Sequence, residues 1–289
     1  MSSPSEPAAA DPIRVLHEAS GVVAIWKPAG WPTQAPAGIL SAESWLRDRL
    51  AVAVSAGYLG VPHRLDRAVS GVLLFAATPR AARQLSRQFE RRQVRKRYLA
   101  IVMDAGDVAG RLSTPGTEAV WTDRIEKIPD LPQARVVTAD SAGGREAVTE
   151  VRVVAALPNG RLLLALAPLT GRMHQLRLQA ASRGLPIAGD VLYGSPPCEW
   201  HAAPAAESAF ADPRSRPIAL HAWSIRYSDP DTRDEITIEA PLPTYWSAAV
   251  RGIEDACAAS TGGEGPPMPR EPAYDDKRSQ DGEAPSASE

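Results

Sequence analysis

Short apolar runs set off by turn residues make up most of the chain, and they indicate the strands of a sheet. The run GVVAIW at 21–26 ends at KPAG, a proline- and glycine-containing turn sequence. Similar runs predict strands over 72–77, 94–103, 134–139, 147–156, 161–169, 218–228 and 235–240. Many strands with few helices between them predict an α+β fold, with a mixed, largely antiparallel central sheet flanked by helices.

Helical signals are fewer. Thr78 is a capping residue with Pro79 in the first helical position, which predicts a helix start. In the helix that follows, Ala82, Leu85 and Phe89 form one stripe, and arginines at 80, 83, 87 and 91 form another. We expect the apolar stripe to pack on the sheet and the arginines to face solvent.

Three further helices are expected. One runs from Ser41 to about residue 53, and the last covers 243–256. Between them, Thr170 is expected to cap a helix that runs to Arg183, with Gly184 as its C-terminal stop.

Composition changes at both ends of the chain. Residues 1–11 and 257–289 are poor in apolar side chains and rich in small, proline and acidic residues, so both are expected to be disordered tails. The stretch between them holds no long linker and no internal repeat, and a single domain over 12–256 is expected.

The expected cellular compartment is inferred from the cysteine spacing and from the absence of targeting and membrane-spanning segments. Cys198 and Cys257 fit no metal, redox or disulfide spacing, which favours a reducing environment. The chain begins without the basic and apolar segments of a secretory signal, and no apolar run approaches the length of a membrane span. We therefore expect a cytoplasmic protein with no membrane partner.

Charge is distributed unevenly along the 289 residues. The formal net charge is −2, but nine acidic and three basic residues lie from Glu254 onward, a net of −6. Residues 1–253 carry 29 basic and 25 acidic side chains, a net of +4. Residues 63–97 contain ten lysines and arginines but only two acidic residues, Asp66 and Glu90. This local excess indicates a polyanion-binding surface, although a solvated face would have the same composition.

The segment HRLDRAVSG at 63–71 places Asp66 between Arg64 and Arg67, just before an apolar run. Two interpretations fit. Exposed ion pairs contribute about 0–1 kcal/mol and are common, so Asp66 could balance its neighbours in a solvated turn. Alternatively, the arginines keep a catalytic carboxylate ionised at the mouth of a nucleic-acid cleft.

Familiar site motifs are missing from the sequence. It contains no GxxxxGK[ST], GxGxxG or GxSxG, and its histidines at 17, 63, 174, 201 and 221 have no metal-binding spacing with acids or cysteines. The remaining candidates are Asp66 in its basic setting, Tyr98 in a basic strand, and the helix opening GRMHQLR at 171–177.

Taken in order, these segments resemble the motifs of RluA-type pseudouridine synthases. The matching segments are KPAG at 27–30, HRLDRAVSG, KRY at 96–98, LTGRMHQLR ending at Arg177, GLPIAGDVLYG at 184–194 and LHAW at 220–223. The resemblance covers residues 13–245. Each motif is weak by itself, but their order and separations together are specific.

The resemblance implies an enzyme that isomerises a uridine in structured ribosomal or transfer RNA, replacing an N-glycosidic bond with a carbon–carbon bond. It implies a pseudouridine synthase catalytic domain that needs no metal and no cofactor. By motif position, Asp66 is the catalytic aspartate, Tyr98 the active-site aromatic residue and Arg177 the cation paired with Asp66. Attack by Asp66 on the sugar and on the base both stay open, and a monomer is expected.

Several other residues are expected to contact the RNA or to orient residues that do. Arg64 would fill the gap left by the flipped nucleotide, since a guanidinium stacks on bases and also meets phosphate. The rest of this set is His63, Arg67, Arg172, His174, Gln175, Lys27 and Lys96. Structural roles stay open for Lys27, for Tyr98 as a core residue, and for His174 and Gln175 as supports of the Asp66 loop.

Three residues depart from the family pattern at supporting positions. Val69 and Met173 stand where threonine is common, and Gln179 stands where histidine often follows the last motif. These changes affect the fine geometry of the site more than its chemistry.

Two other functions compete with this prediction. An inactive RNA-binding or RNA-chaperone protein on the same fold would keep the basic surface and lose the carboxylate. A retaining glycosidase also uses an aspartate nucleophile, but it needs a second carboxyl group about 5.5 Å away. In the matched motifs Asp190 is the only other acid, and its place in a turn indicates a structural role.

Overall fold

The computed structural model describes residues 12–51, 57–103, 114–198 and 215–246, and within them ten strands form one sheet. The strands are β1 (Arg14–Ala19), β2 (Val22–Lys27), β3 (Ser70–Ala76), β4 (Arg95–Met103), β5 (Glu118–Lys127), β6 (Ala134–Val137), β7 (Arg145–Leu157), β8 (Arg161–Pro168), β9 (Leu220–Ser228) and β10 (Glu235–Glu239). The α-helices are α1 (Ala42–Ala51), α2 (Pro79–Glu90) and α3 (Gln175–Ala181), and short 3-10 helices cover Val191–Tyr193 and Thr244–Trp246.

The strand order is β1-β2-β3-β9-β4-β8-β7-β5-β6, with β10 pairing β9 on the same side as β3. Among the described strands the β3–β9 pair is parallel and the other pairs are antiparallel. The predicted α+β class with a mixed, largely antiparallel sheet is confirmed.

Strands β3 and β9 approach each other closely at the middle of the sheet. Ser70 and Gly71 pair with His221 and Ala222. Gly71 has φ +123°, and a Cβ atom on it would collide with the backbone of Ala222. Glycine at this position therefore permits the parallel contact, directly after the segment that carries Asp66.

Two buried clusters of apolar side chains cover the sheet. One surrounds β2 and β3 and includes Leu46 of α1 and Leu85 of α2. The other surrounds β4, β7 and β8 and includes Leu176 and Ala180 of α3. Tyr98 packs against both clusters, which places it where the two halves of the sheet meet.

The helix predicted after Thr78 is confirmed in detail. The Thr78 hydroxyl accepts a hydrogen bond from the Ala81 N–H at 3.1 Å, and Pro79 is the first helical residue. Leu85 is buried, and the predicted arginine stripe is exposed.

The helix predicted from Thr170 to Arg183 is shorter, since it begins at Gln175 and ends at Ala181. The Thr170 hydroxyl accepts from the Val148 N–H (2.9 Å) and donates to Gln175 Oε1 (2.7 Å), so it ties a loop to β7 instead of capping a helix. His174 has φ +52°, a left-handed conformation that cannot continue a right-handed helix.

Other boundaries differ by a few residues, and two strands went unpredicted, β1 and β5. The last predicted helix is represented by Thr244–Trp246, and residues 247–256 lie outside the described part of the chain. Both predicted tails, 1–11 and 257–289, also lie outside it.

Candidate active site

A cleft of about 1660 Å³ opens at the middle of the sheet, where the Asp66 segment, the start of β4 and the loop before α3 meet. Ten of the eleven site residues predicted from the sequence line it, and Lys27 is the exception. The fold thus brings together motifs that are more than a hundred positions apart along the chain.

The Asp66 segment is held from both sides by backbone hydrogen bonds. The Thr33 hydroxyl donates to the Leu65 carbonyl (2.9 Å) and accepts from the Leu65 N–H (3.1 Å). Arg67 Nε donates to the Gly30 carbonyl (2.9 Å), and the Gly30 N–H donates to the Arg67 carbonyl (2.7 Å). Arg67 therefore ties the KPAG turn to this segment, and Thr33 is a buried support that the sequence reasoning missed.

Lys27 occupies the core beneath this segment. Its side chain is fully buried, and Nζ donates to the carbonyls of Pro28 (2.9 Å), Trp31 (2.8 Å) and Arg67 (3.4 Å). Burial, opposed by the charge of Asp66 and aided by that of Arg67, lowers the pKa of Lys27 to about 7. The expectation that Lys27 contacts RNA conflicts with this burial, and the structural alternative fits the geometry.

Arg177 carries the buried charge of the cleft. Its Nε and Nη2 donate to the two carboxylate oxygens of Asp190 at 2.7 and 2.8 Å, and Nη1 lies 3.4 Å from Asp66 Oδ2. The guanidinium also lies over the Tyr193 ring, 5.0 Å from its centroid. Burial alone would lower the pKa of Arg177, but the hydrogen bonds and charge of Asp190, with Asp66, raise it.

This geometry revises the role of Asp190. It is a turn residue, as predicted, but it is also the closer and bidentate partner of Arg177, and its side chain is only 1% exposed. Asp66 is 33% exposed and makes the longer contact, so its carboxylate faces the cleft. The pairing of Asp66 with Arg177, implied by the family resemblance, is thus accompanied by a stronger pair beneath it.

The His174 ring lies between Asp66 and Tyr193. Its Nε2 lies 3.7 Å from Asp66 Oδ2, and its Nδ1 lies 2.7 Å from the Tyr193 hydroxyl. Burial lowers the pKa of His174, which favours a neutral ring at pH 7. Its positive φ directs the ring into the cleft at the start of α3, a position where backbone strain is compatible with function.

Gln175 and Arg172 fix the loop that presents His174. The buried Gln175 amide donates to the Val148 carbonyl (3.1 Å) and the Thr149 hydroxyl (2.9 Å), and its oxygen accepts from the Arg172 N–H (3.0 Å). The Arg172 guanidinium donates to the Glu146 carbonyl at 2.9 Å. Gln175 is therefore a support, while Arg172 stays partly exposed at the cleft edge.

Tyr98 stands on β4, next to a register shift against β9 between Arg97 and Tyr98. Burial and the negative charge of Asp66 raise the pKa of Tyr98, so its phenol stays protonated. The ring borders the cleft together with Asp66, within reach of anything bound there.

His63 and Lys96 also line the cleft. His63 Nε2 accepts from the Leu74 N–H at 2.9 Å, its ring stacks on Phe89 with centroids 4.8 Å apart, and burial with the charge of Lys96 lowers its pKa to about 3. Burial also lowers the pKa of Lys96 to about 8. His63 is thus a neutral residue that connects its segment to Leu74 of β3 and Phe89 of α2, whereas Lys96 supplies a cation to the cleft wall.

Arg64 differs from Arg67, the other arginine of the motif, because it is exposed at the cleft. In the described part of the chain it makes no side-chain hydrogen bond or ion pair. An extended guanidinium at this position is available to a bound nucleic acid.

The departures from the family pattern are accommodated by packing. Gln179 is fully buried; it accepts from the Thr149 hydroxyl (2.6 Å) and donates to the carbonyls of Trp121 and Ala147 (3.1 Å each), tying α3 to β5 and β7. Val69 is buried in the core, and Met173 packs with a small cluster beside β5 and β6.

The described residues contain neither a candidate metal site nor a membrane-spanning helix. No group of three histidines, cysteines, aspartates or glutamates is placed to hold a metal ion. No helix among the described residues is long and apolar enough to span a membrane.

Comparison with known proteins assigns the family. Residues 21–182 match the model of the RNA pseudouridylate synthase family. The dual-specificity RNA pseudouridine synthase RluA of Haemophilus influenzae is 31% identical over 230 residues, covering 78% of this chain and 91% of the relative. The tRNA pseudouridine synthase C of Salmonella typhimurium is 33% identical over 255 residues, covering 82% and 88%.

A solved structure, human RNA pseudouridylate synthase domain containing 4, shares the fold with a TM-score of 0.62 at 23% identity, covering 83% of this chain and 92% of that one. The ordered motifs, the cleft they form and these matches agree. This chain belongs to the RNA pseudouridylate synthase family.

Proposed function

We propose that the protein isomerises a uridine of structured RNA to pseudouridine with Asp66 as its nucleophile. The observation that carries this proposal is the Asp66 carboxylate, which is one-third exposed in the cleft with a buried cation 3.4 Å away. Asp190 holds the guanidinium of Arg177 in place, so a cation stays beside the Asp66 carboxylate.

The reaction needs the uridine outside its stack. Flipping a nucleotide costs about a few kcal/mol, and the exposed Arg64 is positioned to fill the vacated space. In the cleft, Asp66 bonds covalently to the nucleotide while the bond between C1′ and N1 breaks. The uracil turns, C5 bonds to C1′ and the bond to Asp66 breaks. The C5 proton leaves and N1 gains a proton, so the product is an isomer of the substrate and the free carboxylate is restored.

Tyr98 and His174 complete the site. The Tyr98 ring offers a stacking surface for the uracil, and its raised pKa makes it a hydrogen-bond donor in the resting enzyme instead of a base. His174, neutral and hydrogen-bonded to Tyr193, limits the movement of Asp66 from one side.

The same geometry weighs against a glycosidase. Asp190 is the second carboxylate on Arg177, but both its oxygens accept from that guanidinium and it is almost fully buried. It cannot serve as the acid that a retaining glycosidase requires. An inactive RNA-binding protein would have no use for an exposed carboxylate in a basic setting, since it repels phosphate.

Ribosomal and transfer RNA are the proposed substrate classes. The ribosomal large subunit pseudouridine synthase C of Rickettsia bellii is 31% identical to this chain, and the tRNA pseudouridine synthase C of Salmonella typhimurium is 33% identical. These RNAs are cytoplasmic in bacteria, and we place the protein there, acting as a monomer. Mapping pseudouridine in total RNA with and without the gene identifies the site, and size-exclusion chromatography tests the monomer.

Asp66→Asn tests the nucleophile. The amide keeps the size of the side chain but cannot attack as an anion, so release of tritium from RNA labelled at C5 of uridine should stop. RNA affinity should be kept or rise slightly, because the variant removes a negative charge from a basic cleft. Both quantities are measured on the same RNA preparation.

Asp130→Asn is the matched control. Asp130 also lines the cleft and is exposed, and its positive φ of 58° suits asparagine. This variant carries the same charge change and should release tritium at the wild-type rate. Wild-type release by Asp66→Asn would refute the assignment of the nucleophile.

A further inference from the structure

The exposed face of α2 carries a row of arginines that the active site does not use. Arg83 and Arg87 lie on this helix and Arg91 directly follows it, at spacings of four residues that keep their side chains on one side. We call these three residues the α2 stripe. At 1.5 Å per residue it spans about 12 Å along the helix axis.

The α2 stripe is unpaired, in contrast to surface arginines such as Arg152 and Arg226. Among the described residues, Arg83, Arg87 and Arg91 make no side-chain hydrogen bond and no ion pair. Elsewhere carboxylates are matched to arginines, as in Arg152–Glu118 (3.1 Å) and Arg226–Glu235 (3.0 Å). Three neighbouring cations without carboxylates form a site for an anion with a repeating charge.

The position of the helix indicates which anion. Phe89 and Glu90 at the C-terminal end of α2, and Arg92 just after it, line the active-site cleft. The stripe therefore leads away from the cleft edge along the protein surface. A folded RNA with one uridine in the cleft can lay its neighbouring backbone over this edge, where the unpaired cations lie.

We infer that the α2 stripe binds the phosphate backbone of the duplex stem next to the target uridine. This inference rests on the proposed function, since it takes the occupant to be the RNA whose uridine enters the cleft. Arginine suits the role because its planar fork donates two hydrogen bonds to phosphate. The contacts read shape and charge, so they position the substrate without selecting its sequence.

The test replaces all three residues with glutamine, as R83Q/R87Q/R91Q. Arginine and glutamine are both good helix formers, and circular dichroism with thermal unfolding confirms that α2 is retained. The probe is a fluorescent RNA hairpin with a long duplex stem and uridines in its loop. Loss of three phosphate contacts should make the slope of log K against log [salt] shallower by about 2 to 3 and weaken binding at low salt by about tenfold or more.

Two further variants isolate the contact from bulk charge. R49Q/R152Q/R226Q removes three positive charges from α1, β7 and β9, outside the cleft lining, and should change the slope by less than about 1. R83K/R87K/R91K keeps the charges and should restore most of the slope, since lysine still meets phosphate as a point charge.

An unchanged slope in R83Q/R87Q/R91Q would overturn the inference, and so would an equal loss in the dispersed control. Binding of wild-type protein to anionic lipid vesicles that the glutamine variant loses, with hairpin binding unchanged, would assign the stripe to a membrane surface and overturn it as well. The proposed function is judged separately, by tritium release from total cellular RNA with wild-type protein, so the two failures are distinguishable.

Discussion

At the scale of single residues, Asp190 explains how a charged Arg177 is kept inside the protein. Moving a guanidinium out of water costs several kcal/mol unless its donors are matched, and Asp190 accepts from two of its nitrogens. Asp66 does not supply this stabilisation, because its contact is longer and its carboxylate is partly exposed. Asp190 is therefore a positioning residue that acts through Arg177.

Asp190→Asn should be strongly destabilising, although the side chain hardly changes size. The buried guanidinium then lacks its matching charge, a loss of about 3–5 kcal/mol in the free energy of unfolding. Activity of the folded variant should fall in kcat more than in KM, because Arg177 no longer holds its place beside Asp66. Urea unfolding and steady-state tritium release measure the two effects.

The control for this prediction is Glu235→Gln, which removes the carboxylate of a surface pair with Arg226. It should cost less than about 1 kcal/mol. Similar small costs for both variants would show that Asp190 is not needed to hold the buried charge.

The sequence identified which residues meet at the site, but it did not distinguish the residues that face the cleft from the buried residues that support them. Motif order placed Asp66, Tyr98 and Arg177 in one cleft, and the structure agrees. Burial is a property of the whole fold, so the enclosure of Lys27 by three carbonyls was not readable from KPAG. Thr33 contacts Leu65 across 32 positions of the sequence without any motif to mark it.

At the scale of elements, the parallel contact between β3 and β9 contains a buried histidine. His221 Nδ1 lies 2.8 Å from the Ser70 hydroxyl, and Nε2 lies 3.3 Å from the Ala240 carbonyl. A carbonyl only accepts, so Nε2 carries the proton and Nδ1 accepts from Ser70 in the neutral ring. The pair joins the strand after Asp66 to the centre of the sheet.

This histidine makes the sheet sensitive to acid. Burial, partly opposed by the hydrogen bond to Ala240, lowers the pKa of His221 to about 4. Between pH 6.5 and about 4 the unfolded chain takes up a proton that the native protein does not, so the free energy of unfolding falls as the pH falls. The loss attributable to this group is about 3 kcal/mol, and it is complete below the native pKa.

Urea unfolding of wild-type protein and His221→Gln across this pH range measures the effect. The variant is expected to be less stable at pH 7 but to lose less stability on acidification. The slope of its unfolding free energy against pH should correspond to about one fewer proton taken up on unfolding. Parallel curves for the two proteins would contradict the prediction. Carboxylates and His63 titrate in both proteins and cancel in the comparison.

Element boundaries were predictable where side chains supply the signal locally. Thr78 and Pro79 mark the start of α2 by their own chemistry. The start of α3 depends on hydrogen bonds from Thr170 and Gln175 to β7, which lies elsewhere in the sequence. Strand β5 was missed because charged residues interrupt it, and only Trp121 and Ile125 within it are buried.

At the scale of the whole molecule, charge is distributed unevenly along the chain. Residues 257–289 contain seven acidic and three basic side chains, a net of −4, while the segment around the site is basic. Such a stretch competes with RNA for the basic surface or repels the RNA directly. Either effect is electrostatic and is screened by salt.

Deletion of residues 257–289 should therefore tighten RNA binding without slowing the chemistry. We expect an increase in affinity of about twofold or more at low salt, which disappears at high salt, and an unchanged kcat. Anisotropy with the fluorescent hairpin and tritium release on the same preparations measure both. Weaker RNA binding or a truncated protein that fails to fold would contradict the prediction.

The formal charges of Arg177 and its direct neighbours do not cancel. Asp66 and Asp190 are two carboxylates, Arg177 is one guanidinium and His174 is neutral at pH 7, so this group carries one net negative charge. The exposed Arg64 at the cleft and the α2 stripe beyond its edge are positive. A nucleotide has an anionic phosphate and an uncharged base, and the electrostatic field of the cleft acts on the phosphate much more strongly than on the base. We expect these charges to draw the phosphate backbone to Arg64 and the α2 stripe and to keep it out of the centre, so that the base enters the cleft first.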